Sequence, residues 1–282
     1  SAAIDSVTKE LERGAASVNV PLIGGKQLRV GWSAEFLLVL CAAAATALGI
    51  WLVPNRVLFT VFMILGWFIC LLVHEQGHAI FAEYAGEPAA EGYTDMNYRK
   101  YKNPIHSLYA PLATMLIFGI GVTGGVDYLS PEVVQSADRF KRILIALGGV
   151  IWSLVFCELL SLPMWFFWYP ANYSDYVLIG IGTLNYLQLY SIIVNLVPLP
   201  PTDMFTFIYP QLPENIRVKV AQFLNHPYYS VACFGCIVIF AFIFHYVIDF
   251  LIFIISTLLL INTGGAYQGL CMLYSLEGCL VH

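Results

Sequence analysis

Charge is what this sequence most lacks. Of 282 residues only 11% are Asp, Glu, Lys or Arg, against 59% hydrophobic, where a soluble domain carries about 25% charged residues. So few charges cannot cover a water-facing surface, which excludes a purely water-soluble protein and makes lipid part of its solvent. There is no basic run and no glycine-rich phosphate loop, so nucleic acid is not an expected partner. No internal repeat, low-complexity tract or sizeable water-soluble domain is visible. Residues 1–31 are polar and mixed in charge, without the apolar core of a signal peptide, so any targeting segment is expected to have been removed already. The seven Cys lie mostly within apolar runs and read as small packing residues. Cys233-x-x-Cys236 has redox or metal spacing, but no second pair accompanies it.

What is present is a series of apolar runs. Spanning a hydrocarbon core of about 30 Å takes about 20 residues, and 34–53, 57–82, 143–168 and 176–197 meet that length. A longer run, 229–261, is expected as one tilted helix or a helix with a break. The run 108–125 is shorter, contains Pro111 and ends in Gly124-Gly125. The 17 Tyr and 6 Trp suit interfacial belts. Lys and Arg in short loops favour one membrane face and decide the topology. If 108–125 spans, the thirteen basic residues divide seven to six. If it dips in and returns, or lies at the interface, they divide twelve to one, with only Arg56 opposite. The second arrangement is the expected one.

Within 57–82 stands His74-Glu75-Gln76-Gly77-His78. Histidines four apart share one helical face and can bind one metal ion, and Glu75 is placed to act as general base on a metal-bound water. Ionisable groups within a span cost about 2.5–3.5 kcal/mol each on insertion scales and are kept mainly for function. Catalytic zinc takes three protein ligands and an open position. In the twelve-to-one topology Asp203, just beyond 176–197 and after Pro198, Pro200 and Pro201, arrives on the same face as His74 and His78. In the other topology it ends on the opposite face. Charge count and metal geometry therefore select the same arrangement. His245 and Asp249, four apart in the last run, read as partners within the bundle.

These residues resemble the site-2 protease family of intramembrane zinc metalloproteases. His74-Glu75-Gln76-Gly77-His78-Ala79, followed by Gly86, is similar to its first motif. Asn195, Pro198, Pro200 and Asp203 match its Asn-x-x-Pro-x-Pro-x-x-Asp motif, and 142–149 resembles the entry to its Gly-Pro-x-x-Asn motif. The resemblance covers roughly 57–210. It implies Zn2+ held by His74, His78 and Asp203, Glu75 as catalytic base, Asn195 and Ser153 as substrate-binding residues, and a re-entrant, partly β segment after the first motif. Four positions depart: in Gly149-Val150-Ile151-Trp152-Ser153 the Pro is lost, Trp152 is far bulkier than the small residue usual there and Ser153 stands for Asn, and Met204 replaces the Gly after Asp203.

The expected fold is an all-α polytopic membrane protein of about five to six transmembrane helices around a three-helix metalloprotease core, with a re-entrant segment after the His-Glu-x-x-His helix. A polar tail, 1–33, precedes a membrane domain, 34–282. Two functions remain open. One is hydrolysis of a peptide bond in a transmembrane substrate helix. The other is a protease-derived, non-proteolytic subunit of a larger membrane complex, for which an organellar inner membrane is a candidate location. The expected partners are accordingly a transmembrane substrate or neighbouring subunits, together with lipid.

Overall fold

The computed structural model describes residues 16–21, 27–86, 89, 91–122, 139–167, 175–200, 202–224 and 228–274. Alternating Val18, Val20, Leu28 and Val30 suit extended chain, and β1 (Ala16–Pro21) pairs antiparallel with β2 (Gln27–Trp32), Val18 opposite Val30. This hairpin lies inside the expected polar tail and is the one sheet among the described residues. Everything else regular is helical. The end of β2 is tied to the loop at 94–96: Gly31 N donates to Thr94 O (3.3 Å), Ser33 N to Asp95 O (2.7 Å) and Ser33 Oγ to Met96 O (3.3 Å). The N-terminal segment and this loop thus share one end of the bundle, as the charge count requires.

Ser33 then caps α1 (Ala34–Leu52), its Oγ accepting from Phe36 N. Asn55 caps α2 (Arg56–Tyr84), its side chain accepting from Val57 N and Leu58 N. These caps satisfy amides that the helices leave unpaired. Twenty-nine residues make α2 about 43 Å long, longer than the hydrocarbon core. Two further long helices follow, α4 (Arg139–Phe167) and α5 (Tyr176–Asn195), the latter capped by Asp175. Among the described residues α1, α2, α4 and α5 are long and apolar enough to cross a membrane, and the chain is a multi-pass membrane protein. Their burial sorts them. Only 17% of the α1 window is covered by protein, against 83% for α5, so α1 faces lipid while α5 forms the centre.

The described part of the next run, 108–122, does not cross. A wide π-type turn (Ile105–Tyr109) leads into α3 (Ala110–Phe118), and together these 14 residues reach only about 21 Å. The chain reverses at Gly119, whose φ of 68° is left-handed and open to glycine at no steric cost. It then returns along α5: Gly121 lies against Leu187, and Ile120 and Val122 share a core with Leu189, Ile192 and Ile193. This is a re-entrant hairpin. No strand occurs among the described residues of the segment that follows the His-Glu-x-x-His helix, and 123–138, where the rest of the expected partly β segment falls, lie outside the described residues.

Two short helices follow α5, α6 (Asp203–Ile208) and α7 (Glu214–Leu224). The long apolar run is broken rather than continuous. It forms α8 (Tyr229–Ile243) and α9 (His245–Leu258), bent by 75° at Phe244, and counts as a fifth span if the pair is taken as one. His245 Nε2 lies 3.2 Å from Asp249 Oδ2, and Tyr186 OH donates to Asp249 Oδ1 at 2.7 Å, so this pair does bond within the bundle. Cys233 is buried, Cys236 is exposed, and both are free thiols. Finally α10 (Ala266–Tyr274) meets the start of α2, where Arg56 Nε donates to Met272 O (2.7 Å) and Nη2 to Cys271 O (3.4 Å).

Candidate metal centre

The site forms where α2 and α4 touch. A Cβ on Gly77 would lie 2.5 Å from both Gly148 O and Trp152 Cβ, and one on Gly148 would lie 2.7 Å from Gly77 O. Only glycine at both positions permits this backbone approach, the device by which small residues pack membrane helices. Because α4 comes so close, its groups reach the α2 histidines. His78 Nδ1 lies 2.8 Å from Ile145 O, a contact in which only the ring N–H can donate. His74 Nδ1 lies 3.1 Å from Ser153 Oγ. With Nδ1 protonated on both rings, each Nε2 presents a lone pair, the arrangement that ligating histidines adopt when a second group holds the other nitrogen.

The third donor comes from the far end of α5. Pro198 and Pro200 interrupt the helix, and Thr202 latches the turn: its Oγ1 donates to Val197 O (2.5 Å), accepts from Phe205 N (3.3 Å) and so caps α6. Asp203 is therefore fixed at the first position of α6, with Oδ2 3.3 Å from His74 Nε2 and Oδ1 3.2 Å from His78 Nε2. The two Nε2 atoms are 3.1 Å apart. One candidate donor atom from each of the three residues lies within 4.8 Å of the others, and all three residues are at most 3% exposed.

This donor set fits zinc. Two imidazole lone pairs and a carboxylate converge with both outer ring nitrogens already engaged, and acceptors so arranged repel one another unless a cation lies between them. Nitrogen and carboxylate oxygen are zinc's ordinary donors, and three of them leave a position open. Space is reserved as well. A Cβ on Gly149 would lie 2.4 Å from His78 Nε2 and 2.8 Å from His74 Nε2, so the bare Cα of this glycine faces the ligand atoms directly. Zinc is the cofactor these residues would hold.

The remaining sequence candidates fall around this group. Glu75, next to His74, is 2% exposed, and Asn195, the last residue of α5, is also 2% exposed. Asn195 and Asp203 line the same cavity. Ser153, read from the motif as a substrate-binding residue, has its hydroxyl on His74. Trp152 Nε1 donates to Gln76 Oε1 (3.2 Å), and Gln76 Nε2 donates to Thr94 O (2.9 Å), joining α4, α2 and the 94–96 loop beside Glu75. Ile145 went unnoticed in the sequence because its carbonyl is backbone and carries no residue signal. Gln76 lay inside the motif, and its polarity in an apolar helix was the available sign.

No family model matches the chain, and no solved structure matches it. Curated relatives do. Over 191 residues, 64% of this chain, it is 31% identical to a Mycolicibacterium smegmatis protein named "Putative zinc metalloprotease Rip2", and covers 72% of that protein. It is also 31% identical over 160 residues, 56% of this chain and 60% of the relative, to the protein of the same name in Mycobacterium tuberculosis. With the two histidines, the aspartate and the buried glutamate in place, the chain belongs to the site-2 protease family of membrane zinc metalloproteases.

Proposed function

We propose that this protein hydrolyses a peptide bond within a transmembrane substrate helix. The observation that carries this reading is the buried Glu75 beside a three-donor group whose two rings are already oriented by Ile145 O and Ser153 Oγ. Bound zinc supplies Lewis-acid polarisation and lowers the pKa of water at its open position. Glu75 takes one proton from the attacking water and passes it to the leaving amide nitrogen, so cleavage yields a carboxylate and an amine. Asn195, bordering the same space, offers its side-chain amide to the substrate backbone. His74, His78 and Asp203 act as the ligands, and their contacts to α4 keep them in place through turnover.

The test is Glu75→Gln in purified, reconstituted protein. Zinc content should remain one per chain, and cleavage of transmembrane substrates should fall by at least about a thousandfold, as expected when a general base worth 10²–10⁴ is lost together with its charge. Stoichiometric zinc with unchanged cleavage overturns the reading.

One observation favours the second reading, a non-proteolytic subunit of a larger membrane complex such as one in an organellar inner membrane. The Trp152 indole, fixed to Gln76, is bulkier than the small residue the family places there, and its Cβ packs against Gly77 within the His-Glu-x-x-His motif. Mild-detergent isolation separates the two readings. A fixed stoichiometry with partner subunits and no cleavage supports the subunit, and an isolated chain that cleaves supports the protease.

A further inference from the structure

A cavity of about 120 Å3 adjoins the metal-ligand group, between the first half of α4 and the turn joining α5 to α6. Leu147 and Val150 line it from α4, and Met204 and Phe207 from α6. Asp203 and Asn195 are the polar members of its lining. Val150 follows Gly149, whose Cα abuts both histidine rings, so the cavity opens directly beside the position where a substrate carbonyl would be attacked. Leu196, another lining residue, is 42% exposed, so one side reaches the protein surface. A lining of hydrocarbon, thioether and phenyl groups does not hold water well. An apolar cavity of about 150 Å3 stays dry and accepts benzene. The present one is smaller, with room for a branched aliphatic side chain and too little for an indole.

We propose that this cavity is the subsite for an aliphatic side chain (Val, Leu or Ile) of the substrate residue flanking the cleaved bond, and that Met204 and Phe207 set its depth. The inference rests on the proteolytic reading above. Met204 stands where the family carries glycine, so this chain has a shallower subsite at the one position next to the aspartate ligand. A misfit of one methylene in such a pocket changes discrimination by about 10–200-fold.

Two measurements test it. In the first, reconstituted protein is given a transmembrane substrate series with Ala, Val, Leu, Phe or Trp at each position near the cleaved bond. One position should favour Val or Leu over Trp by at least about tenfold. Met204→Ala should raise Phe relative to Leu at that position by about tenfold or more, while the volume-conserving Met204→Leu keeps the wild-type ranking. An unchanged ranking in a cleaving Met204→Ala variant overturns the proposal. In the second, Glu75→Gln protein is irradiated with a substrate carrying a diazirine analogue of leucine at the flanking position. Crosslinks to residues 143–150 or 204–207 support the subsite, and crosslinks confined elsewhere overturn it. The two failures are distinguishable: a wild-type protein that cuts nothing refutes proteolysis and the subsite with it, whereas cleavage without a side-chain ranking refutes the subsite alone.

Discussion

Gly149→Ala is the sharpest probe of the metal centre, because it adds one methyl group and removes nothing. That carbon would lie 2.4 Å from His78 Nε2, 2.7 Å from His74 Cε1 and 2.8 Å from His74 Nε2. Ordinary contact begins at 3.4 Å, so the His78 ring must retreat by about 1.0 Å and the His74 ring by about 0.7 Å, whereas zinc sites hold their distances to about 0.2 Å. Neither ring has freedom to move. His78 is tethered to Ile145 O at 2.8 Å and His74 to Ser153 Oγ at 3.1 Å, and Asp203 stands 3.2–3.3 Å from their Nε2 atoms. Disturbing one outer partner of a ligand costs about 10–100-fold in metal affinity. Displacing both ligand atoms together should cost about 100-fold or more. The assay is zinc per chain by mass spectrometry after equilibration with a chelator of known affinity, with melting of the metal-free forms as the check on folding. Gly235→Ala is the control, since nothing lies within 4 Å of its added carbon. A Gly149→Ala protein that holds zinc as tightly as the wild type refutes the geometry argued here.

Three other substitutions test neighbouring parts of the argument. Ser153→Ala removes the His74 partner and should weaken zinc binding by about 10–100-fold with little change in melting; equal affinity means that the serine does not orient the ring. Thr202→Val deletes both the latch to Val197 O and the cap of α6. It should cost about 1 kcal/mol in stability and also lower zinc affinity, because Asp203 is the next residue; loss of stability alone would show that the latch does not place the aspartate. Asn55→Ala removes the cap of α2 at the end remote from the histidines, and should lower thermal stability by about 1 kcal/mol while zinc affinity stays unchanged.

Much of this was legible in the sequence, because the membrane turns length and charge into strong constraints. The four long helices follow the apolar runs to within a few residues, since a backbone in lipid must bond to itself. The imbalance of basic residues distinguished a re-entrant 108–125 from a span and thereby brought Asp203 to the histidines. The hairpin of Val18, Val20, Leu28 and Val30 was missed because a short alternation among polar residues is weak beside an apolar run of twenty. The 75° bend at Phe244 carries no proline or glycine to announce it, and the sequence left break or tilt open. The partner of His74 was invisible for another reason: a motif shows that a polar side chain occurs at residue 153, but only the close Gly77–Gly148 crossing determines that its hydroxyl meets a ring nitrogen.

Arg56 is the one basic residue assigned to the sparsely charged face, and its guanidinium lies on the Cys271 and Met272 carbonyls of α10. Its charge is spent on a helix C-terminus, where a cation is favoured. Seen as joinery, it is a tie-bar that binds the foot of the helix bearing His74 and His78 to an element more than 200 residues later in the chain. His74 sits about 27 Å further along the same rod, with His78 one turn beyond, so the register of both histidines against α4 is anchored at both ends: by the glycine crossing beside them and by a single arginine at the opposite membrane face.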